Sequence, residues 1–416
     1  MSRRLALGLL TAGALALGAA PAQAAPAPDP AGADLTPATA VPAPTAAVDP
    51  FYDAPPATGE PGTVLRTRPA AVPLAGALPF EATTVLYTST TVDGTPQVVS
   101  GTVFTPSWST PEQAATVLTV APGTQGLGPQ CAPSKQFVAG TEYELGSVAA
   151  GLAQGWTVAV TDYDGYLNGG SPTYTTGPAM AHAVLDLARA ASSVPGARST
   201  DHSPVLLEGY SQGGGGAAWA ASLAPHYASD LWVTGAAVGG VPADLAALAQ
   251  SLDGGPAAYF GLLGVIGLDA AYPDAIGLDE RLNARGQQVV AQLRSECVGG
   301  AGTLTTAFAS VSDYTTDGST LEQLMAEPEI AAVLAENDLS TRPVPTVPIY
   351  QSHAAADEIV ALGQAQDLHA TWCAAGATTR LDLLPGDHVT GGFESLVPFS
   401  AWLQAVTRGL PVPASC

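Results

Sequence analysis

Positively charged side chains are scarce in this chain of 416 residues. It has 13 Lys and Arg against 36 Asp and Glu, which gives a formal net charge of −23 at pH 7. A polyanionic surface repels the phosphate backbone of DNA and RNA. The composition therefore argues against nucleic acid as a partner, and it fits a protein that stays soluble outside the cell.

Cysteine is also rare, and its spacing excludes the common zinc sites. The four cysteines are Cys131, Cys297, Cys373 and Cys416. Zinc knuckles and ribbons need pairs of ligands two to four residues apart, which this spacing does not offer. We therefore predict no metal site. An even number of cysteines in an exported chain predicts two disulfides, although spacing alone leaves their pairing open among three arrangements.

Long apolar runs are missing except at the N-terminus. Arg3 and Arg4 precede an apolar stretch, and Ala22-Gln23-Ala24 has the small-x-small pattern of a cleavage site. Residues 1–24 are therefore predicted to be a secretory signal peptide, and the two arginines also fit a twin-arginine export signal. No later segment is apolar for long enough to predict a membrane span.

Residues 25–48 are almost entirely Ala, Pro, Thr and Asp, a composition that cannot form a packed core. They are predicted to be a disordered linker. The remainder, residues 49–416, has the length of one large domain with an insertion.

Apolar runs separated by helical patterns predict an α/β fold with a mostly parallel sheet covered on both faces. The first two runs alternate as in an antiparallel hairpin, and the later ones are continuous as in buried parallel strands. Helices are predicted over residues 179–192 and 214–223. The eight predicted strands cover residues 83–87, 97–104, 116–120, 157–161, 205–208, 233–238, 347–351 and 379–383.

This alternation breaks down between about residues 241 and 342, where the patterns are helical. Helices are predicted over 243–252, 256–266, 279–296 and 320–337. A helical segment between two strands of one sheet predicts a cap inserted into the α/β domain.

The most informative motif is Gly209-Tyr210-Ser211-Gln212-Gly213, which stands between an apolar run and a run rich in Gly and Ala. The order strand, sharp turn, helix is that of the G-x-S-x-G nucleophile elbow of α/β-hydrolases. Glycines allow strand and helix to pass closely, and the turn places Ser211 near a helix N-terminus, where negative charge is stabilised. An ordinary serine in a glycine-rich loop is the alternative, and the strand–turn–helix context disfavours it.

A serine hydroxyl needs a base to become a nucleophile. In this fold the catalytic order along the chain is Ser, acid, His. His388 lies just past the last predicted strand and is the predicted base, with His353 as an alternative. Asp357 follows the preceding strand and is the predicted acid, with Glu358 as the next choice. Asp387 is expected to structure its loop.

An oxyanion hole needs two preorganised backbone N–H groups. The residue after the nucleophile, Gln212, supplies one in this fold. The other is predicted in the glycine-rich loop 121–128, where we favour Gln125, with Thr124 and Gly126 as alternatives.

Several further segments resemble the secretory lipase family of the Candida antarctica lipase A type, which has many actinobacterial members. The resemblance covers roughly residues 75–416. One departure lies in Thr124-Gln125-Gly126, where the yeast enzyme has an acidic residue. The segments that carry the resemblance are Cys131-Ala132-Pro133-Ser134, Leu207-Glu208-Gly209-Tyr210-Ser211, Gly239-Gly240-Val241-Pro242, Asn283-Ala284-Arg285-Gly286-Gln287 and His353-Ala354 with Asp357-Glu358-Ile359-Val360.

The resemblance implies an α/β-hydrolase with a helical cap that cleaves acyl esters, including triglycerides, without a cofactor. It maps Ser211, Asp357 and His388 onto the triad and implies the pairs Cys131–Cys297 and Cys373–Cys416. The expected partner is an acyl ester or lipid, met in solution or at a lipid–water interface. The apolar run 256–268 is then either packed core or an acyl-binding surface.

Two other functions stay open from the residues alone. One keeps the fold and changes the reaction, which gives an acyltransferase or a peptidase. The other is a non-catalytic binding module, which the ordered Ser, Asp and His argue against.

Overall fold

The computed structural model describes residues 48–74 and 79–416, which contain one nine-stranded sheet. The predicted signal peptide and all but the last residue of the predicted linker lie outside these ranges. The strands are β1 (Val64–Pro69), β2 (Phe80–Thr90), β3 (Pro96–Pro106), β4 (Val117–Ala121), β5 (Thr157–Thr161), β6 (Pro204–Tyr210), β7 (Trp232–Gly239), β8 (Ile349–Ala354) and β9 (Thr379–Leu384).

The spatial order of the strands is β1-β2-β3-β5-β4-β6-β7-β8-β9. Strands β1, β2, β3 and β5 pair antiparallel in succession, and every pair from β5 through β4 to β9 is parallel. The predicted mostly parallel sheet with an antiparallel hairpin is therefore confirmed.

The predicted count of eight strands is wrong, because β1 forms a ninth at the edge of the sheet. Its sequence, Val-Leu-Arg-Thr-Arg-Pro, has no apolar face, and its residues are half-buried or exposed. The Arg66 guanidinium donates to the Phe51 carbonyl, and Arg68 pairs with Asp49 at 2.7 Å. Charged side chains are typical of edge strands, and they remove the alternation by which a strand is recognised.

Helices cover both faces of the sheet. The helices of the α/β core are α1 (Pro111–Ala115), α2 (Pro133–Ala139), α3 (Leu145–Gln154), α4 (Gly177–Ala190), α5 (Gln212–Tyr227), α14 (Leu362–Ala374) and α15 (His388–Thr407). Eight more helices belong to the segment between β7 and β8. They are α6 (Leu245–Leu252), α7 (Ala258–Ala271), α8 (Pro273–Ile276), α9 (Leu278–Arg281), α10 (Ala284–Leu293), α11 (Ala301–Thr305), α12 (Leu321–Met325) and α13 (Pro328–Glu336).

Alternation along the central strands divides the core into two layers. On β6, Val205 and Leu207 pack with α4 and α5, whereas Leu206 packs with α3 and α15. This is the pattern expected of a strand buried on both faces. Glu208 follows Leu206 by two residues, so its side chain points into the layer of α3 and α15.

Most residues of a third apolar cluster lie in the segment between β7 and β8, among them Leu263, Ile266 and Leu293. Two helices predicted as continuous are each divided. Asn283 caps α10 by accepting the Gly286 N–H, and Pro328 begins α13 because it has no N–H to continue a preceding helix. Within the described ranges no single helix is long and apolar enough to cross a membrane, although α7 with α8–α9, a pair bent by 117°, passes the same test together.

The turn between β6 and α5 is a sharp elbow with Ser211 at its apex. Ser211 has φ 60° and ψ −125°, a conformation that L-residues rarely adopt. Glycine is needed around it, since a Cβ on Gly209 would lie 2.2 Å from the Gly213 carbonyl oxygen, and one on Gly213 would lie 2.0 Å from the Ala121 oxygen. The backbone itself therefore holds Ser211 above the carboxyl edge of the sheet.

Two disulfides join distant parts of the chain. Cys131, which follows the loop after β4, is bonded to Cys297 beyond α10, and Cys373 of α14 is bonded to Cys416. These are the pairs that the family resemblance implies. The first ties the β4 loop to the helical segment, and the second attaches the C-terminus to α14.

Non-reducing peptide mapping of the purified protein should recover these two linked pairs. Each should contribute about 4–5 kcal/mol by restricting the unfolded chain, slightly more for Cys131–Cys297 because its ends are 166 residues apart against 43. Double Cys→Ser variants of each pair, compared by urea unfolding, measure this. Linkage of Cys131 to Cys373 or Cys416, or four free thiols, would contradict the assignment.

Candidate active site

The structure brings together three side chains that are far apart in sequence. The Ser211 Oγ lies 2.8 Å from His388 Nε2, and His388 Nδ1 lies 2.7 Å from Asp357 Oδ2. Ser211 belongs to the elbow, His388 is the first residue of α15, and Asp357 lies on the loop after β8. A hydroxyl, an imidazole and a carboxylate in this order are the arrangement that activates a serine.

The Asp357 carboxylate is fixed by its own loop. Its Oδ1 accepts the backbone N–H groups of Ile359 and Val360 at 3.0 and 2.7 Å, and its side chain has no exposed surface. The Oδ2 atom is thereby left for the imidazole. With the Nδ1 proton donated to Asp357, the Nε2 atom of His388 is free to accept the Ser211 proton.

The two other acidic candidates hold the backbone at His388. Glu358 accepts the His388 N–H at 3.1 Å. Asp387 caps α15 by accepting the Thr390 N–H at 2.8 Å. Asp387 therefore has the loop-structuring role expected of it, and Glu358 supports the histidine instead of pairing with its ring.

The alternative base, His353, lies next to Asp357. Its ring is fully buried, its Nε2 lies 2.9 Å from the Val360 carbonyl oxygen, and the same nitrogen is 3.5 Å from Asp357 Oδ2. Burial lowers the pKa of His353, so the neutral ring is favoured. This geometry makes His353 a packing partner of the acid.

Of the predicted oxyanion donors, Gln125 precedes the serine in sequence and Gln212 follows it directly. Gln212 opens α5, and Gln125 follows β4. Within the described residues, neither backbone N–H donates a hydrogen bond. The Gln125 side chain is directed elsewhere, since its amide donates to Glu142 at 3.1 Å and its carbonyl oxygen accepts from Gln136 at 2.6 Å.

A cavity of about 480 Å³ opens at Ser211 and His388. It extends between the carboxyl edge of the sheet and helices α3 and α15. Most of its surface is apolar, and the polar side chains besides Ser211 and His388 are confined to a few positions. Its apolar side chains are Phe260, Val298, Ile359, Val389, Phe393, Leu396 and Phe399, and its polar ones include Thr124, Tyr143, Glu144, Ser147 and Glu208.

Glu144 and Glu208, which line this cavity, and the neighbouring Glu142 are not among the site residues predicted from the sequence. The Gly123 N–H donates to Glu144 Oε1 at 2.7 Å, and the Glu144 N–H donates to Glu142 at 3.1 Å. Desolvation raises the pKa of Glu144 to about 7 and that of Glu208 to about 8. The pKa of Glu142 rises to about 8, first through burial and then through the nearby Glu144. The available signal was Glu208 itself, a carboxyl inside an otherwise apolar strand.

A second cavity, of about 120 Å³, lies within the helical segment and is lined almost wholly by aliphatic side chains. Phe260 of α7 lines both cavities, so it stands at their boundary. Leu262 lines the second cavity, whereas Leu263 is completely buried in the packed cluster. The run 256–268 is therefore partly core and partly cavity wall.

Known proteins share both the sequence and the fold. A Mycobacterium tuberculosis (strain CDC 1551 / Oshkosh) protein named a probable inactive lipase is 32% identical over 88% of this chain and 83% of its own length. Lipase A of Moesziomyces aphidis is 30% identical, with the same coverage of both chains.

The crystal structure of Candida antarctica lipase A superposes with a TM-score of 0.79 and 28% identity, covering 88% of this chain and 87% of that one. This similarity confirms the predicted α/β-hydrolase fold. Residues 132–412 match the family model described as secretory lipase. The chain therefore belongs to the secretory lipase family.

Proposed function

We propose that the protein is a secreted serine hydrolase of carboxylic esters, with acylglycerols and other acyl esters as substrates. The observation that carries this proposal is the unbroken hydrogen-bonded series from Ser211 through His388 to Asp357, opening on a largely apolar cavity. The lipases among its relatives support the same class of substrate.

In the first half of the reaction, Ser211 Oγ attacks the ester carbonyl while its proton passes to His388 Nε2. The carbonyl oxygen becomes an oxyanion, for which Gln125 and Gln212 would supply N–H groups. The ester C–O bond then breaks, and the imidazolium gives its proton to the leaving alcohol. Asp357 stabilises the imidazolium and keeps the ring oriented.

In the second half, water attacks the acyl group on Ser211. His388 takes a proton from this water and gives it to Ser211 Oγ as the second tetrahedral intermediate collapses, which releases the carboxylic acid and restores the serine. No metal or cofactor enters any of these steps.

The M. tuberculosis relative is named a probable inactive lipase. We nevertheless propose activity for this chain, because the proposal rests on its own residues. Ser211, His388 and Asp357 are all present and lie within hydrogen-bonding distance of one another. An intact triad of this geometry disfavours a non-catalytic binding module. A peptidase would use the same triad on an amide bond, and an acyltransferase would replace water with another acceptor. Assays with amide substrates and with added acceptor alcohols distinguish these reactions from ester hydrolysis.

We propose that the acyl chain occupies the cavity of the helical segment. That segment joins β7 to β8, whose carboxyl ends meet at the catalytic edge of the sheet, and ligands of open α/β sheets bind beyond that edge. Phe260 links the cavity at Ser211 to the aliphatic one.

An exposed apolar stripe next to the triad supports a substrate met at a lipid–water interface. Val389, Phe393 and Val397 lie on one face of α15 and are 60%, 64% and 78% exposed. The stripe starts one residue after His388, and its first two members also line the catalytic cavity. Contiguous exposed apolar side chains at the mouth of a site are typical of surfaces that meet lipid.

Ser211→Ala should fold normally and lose ester hydrolysis by several orders of magnitude, because no other group can form the acyl-enzyme. His388→Asn should lose a comparable factor, whereas His202→Asn, at a side chain that is 91% exposed, serves as the control and should keep most of the activity. Initial rates on a short nitrophenyl ester measure this. If His388→Asn retained more than about a tenth of the wild-type rate, another base would be required.

The raised pKa values of Glu142, Glu144 and Glu208 predict how stability depends on pH. Their pKa values lie above the ordinary 4.5 of Glu, so the folded protein binds more protons than the unfolded chain between about pH 4.5 and 8. Stability should then fall as the pH rises through this window, by up to about 1.4 kcal/mol per pH unit for each such carboxyl.

Urea unfolding of wild type, Glu208→Gln and Glu394→Gln at pH 5, 6, 7 and 8 measures this effect. Glu208→Gln should show a shallower fall, because one of the carboxyls no longer titrates. The exposed Glu394→Gln should follow the wild type. Identical slopes for all three proteins would show that Glu208 is ionised at neutral pH.

Leu262→Trp should shift preference toward short acyl chains and leave acetate esters nearly unaffected, because the indole would fill the aliphatic cavity. Each methylene buried there contributes about 0.8 kcal/mol, so the loss should grow with chain length. Leu304→Trp is the matched control, since Leu304 lies on the same segment and is 82% exposed. A wild-type chain-length profile in Leu262→Trp would place the acyl site elsewhere.

A further inference from the structure

The catalytic cavity has a polar wall that ester hydrolysis by the triad does not use. Glu144 and Glu208 both line it, with Ser147 beside them. Neither belongs to the Ser211–His388–Asp357 series. A hydrocarbon chain cannot form hydrogen bonds with a carboxyl group, and burying a carboxyl group without a partner is costly. Carboxyl groups in the wall therefore point to a polar group of the ligand.

Glu208 is the more unusual of the two. It is 3% exposed, it stands on β6 three residues before Ser211, and its side chain points into the layer of α3 and α15 where the cavity lies. Its carboxyl accepts no hydrogen bond of ordinary length from the described residues, although the Ser147 hydroxyl lies close enough to favour its charged form. A carboxyl has several acceptor positions, so most of its capacity is left for a ligand.

Glu144 stands on the loop side of the same cavity. One of its oxygens accepts the Gly123 N–H at 2.7 Å, which fixes the carboxyl next to the β4 loop. The cavity therefore has two carboxyl groups on one wall, with the reacting serine in the same space.

We propose that Glu208 and Glu144 form a subsite for a hydroxyl group of the substrate, so that the enzyme favours esters with a free hydroxyl a few bonds from the scissile bond. The inference rests on the proposed ester hydrolysis and names the class of ester. Partial esters of glycerol and other polyols carry this hydroxyl on the alcohol side, and hydroxyacyl esters carry it on the acyl side.

A hydroxyl fits this wall better than an ammonium or an alkyl group. The rest of the cavity is apolar, and a hydroxyl satisfies a carboxyl without adding a charge to it. A hydroxyl can donate to an ionised carboxylate and can accept from a protonated one. An alkyl group in the same place would leave the Glu208 carboxyl without a partner, and sites of this kind discriminate strongly against analogues that lack the hydrogen-bonding group.

Two matched pairs of dissolved esters test the proposal. The first compares glycerol 1-monobutyrate with 2-methylbutyl butyrate, in which each hydroxyl is replaced by a methyl group. The second compares ethyl 4-hydroxybutyrate with ethyl pentanoate, which makes the same replacement on the acyl side. For each pair, the ratio of the two kcat/KM values is measured by titration of the released acid.

Wild type should prefer the hydroxylated ester of at least one pair by at least about tenfold. The pair that shows the preference identifies the alcohol or the acyl side as the source of the hydroxyl. Glu208→Leu should lower that ratio at least about tenfold while the methyl analogue is still hydrolysed. Glu394→Gln, which removes an exposed carboxylate of α15, should leave the ratio unchanged.

Glu208→Gln keeps the shape of the side chain and decides the question if the leucine variant does not fold. Its ratio should lie between those of wild type and Glu208→Leu. Ratios near one for both pairs in wild type, or a ratio unchanged by either substitution of Glu208, would overturn the subsite and leave ester hydrolysis standing. If wild type hydrolysed none of the four esters, the proposed function itself would fail, and the subsite with it.

Discussion

The structure depends on one crowded turn. Ser211 can hold a positive φ at the end of β6 only because glycines surround it, and a Cβ on Gly214 would lie 2.1 Å from the Gly239 carbonyl oxygen of the adjacent strand. The elbow thus packs against β4 on one side and β7 on the other. A rigid turn places the hydroxyl where the β8 and β9 loops deliver Asp357 and His388, so the site follows from the backbone of the sheet.

Much of the fold could be predicted from the sequence, because the core strands carry the signals that burial requires. Strand β5 is predicted to the residue, and β4 to within one residue at each end, since both are short, continuous β-branched runs. The positions of Asp357 and His388 followed from the order of strands alone, and the structure places both beside Ser211. The wrong predictions concern single elements. The edge strand β1 was missed because it has no apolar face, and two helices predicted as continuous are interrupted at Asn283 and Pro328.

Glu208 stands out in the sequence, but its grouping with Glu142 and Glu144 could not be predicted, because it depends on packing between distant segments. Glu142 and Glu144 precede α3, and Glu208 belongs to β6, and only the parallel pairing of β4 with β5 and β6 brings these parts together. In sequence, Glu144 is an ordinary polar residue before a helix. The loop 121–128 has no acid of its own, yet the fold supplies carboxyls to Gly123 and Gln125 from the segment before α3. The polarity of the site is therefore a property of the tertiary structure.

The central claim is that the elbow serine is a nucleophile activated by His388. Labelling with a fluorophosphonate, followed by intact mass measurement and peptide mapping, tests it most directly. Wild type should take up one equivalent on Ser211, and the labelling rate should collapse in His388→Asn while the variant remains folded. Modification of a different residue, or an equal rate in the variant, would contradict the assignment of the triad.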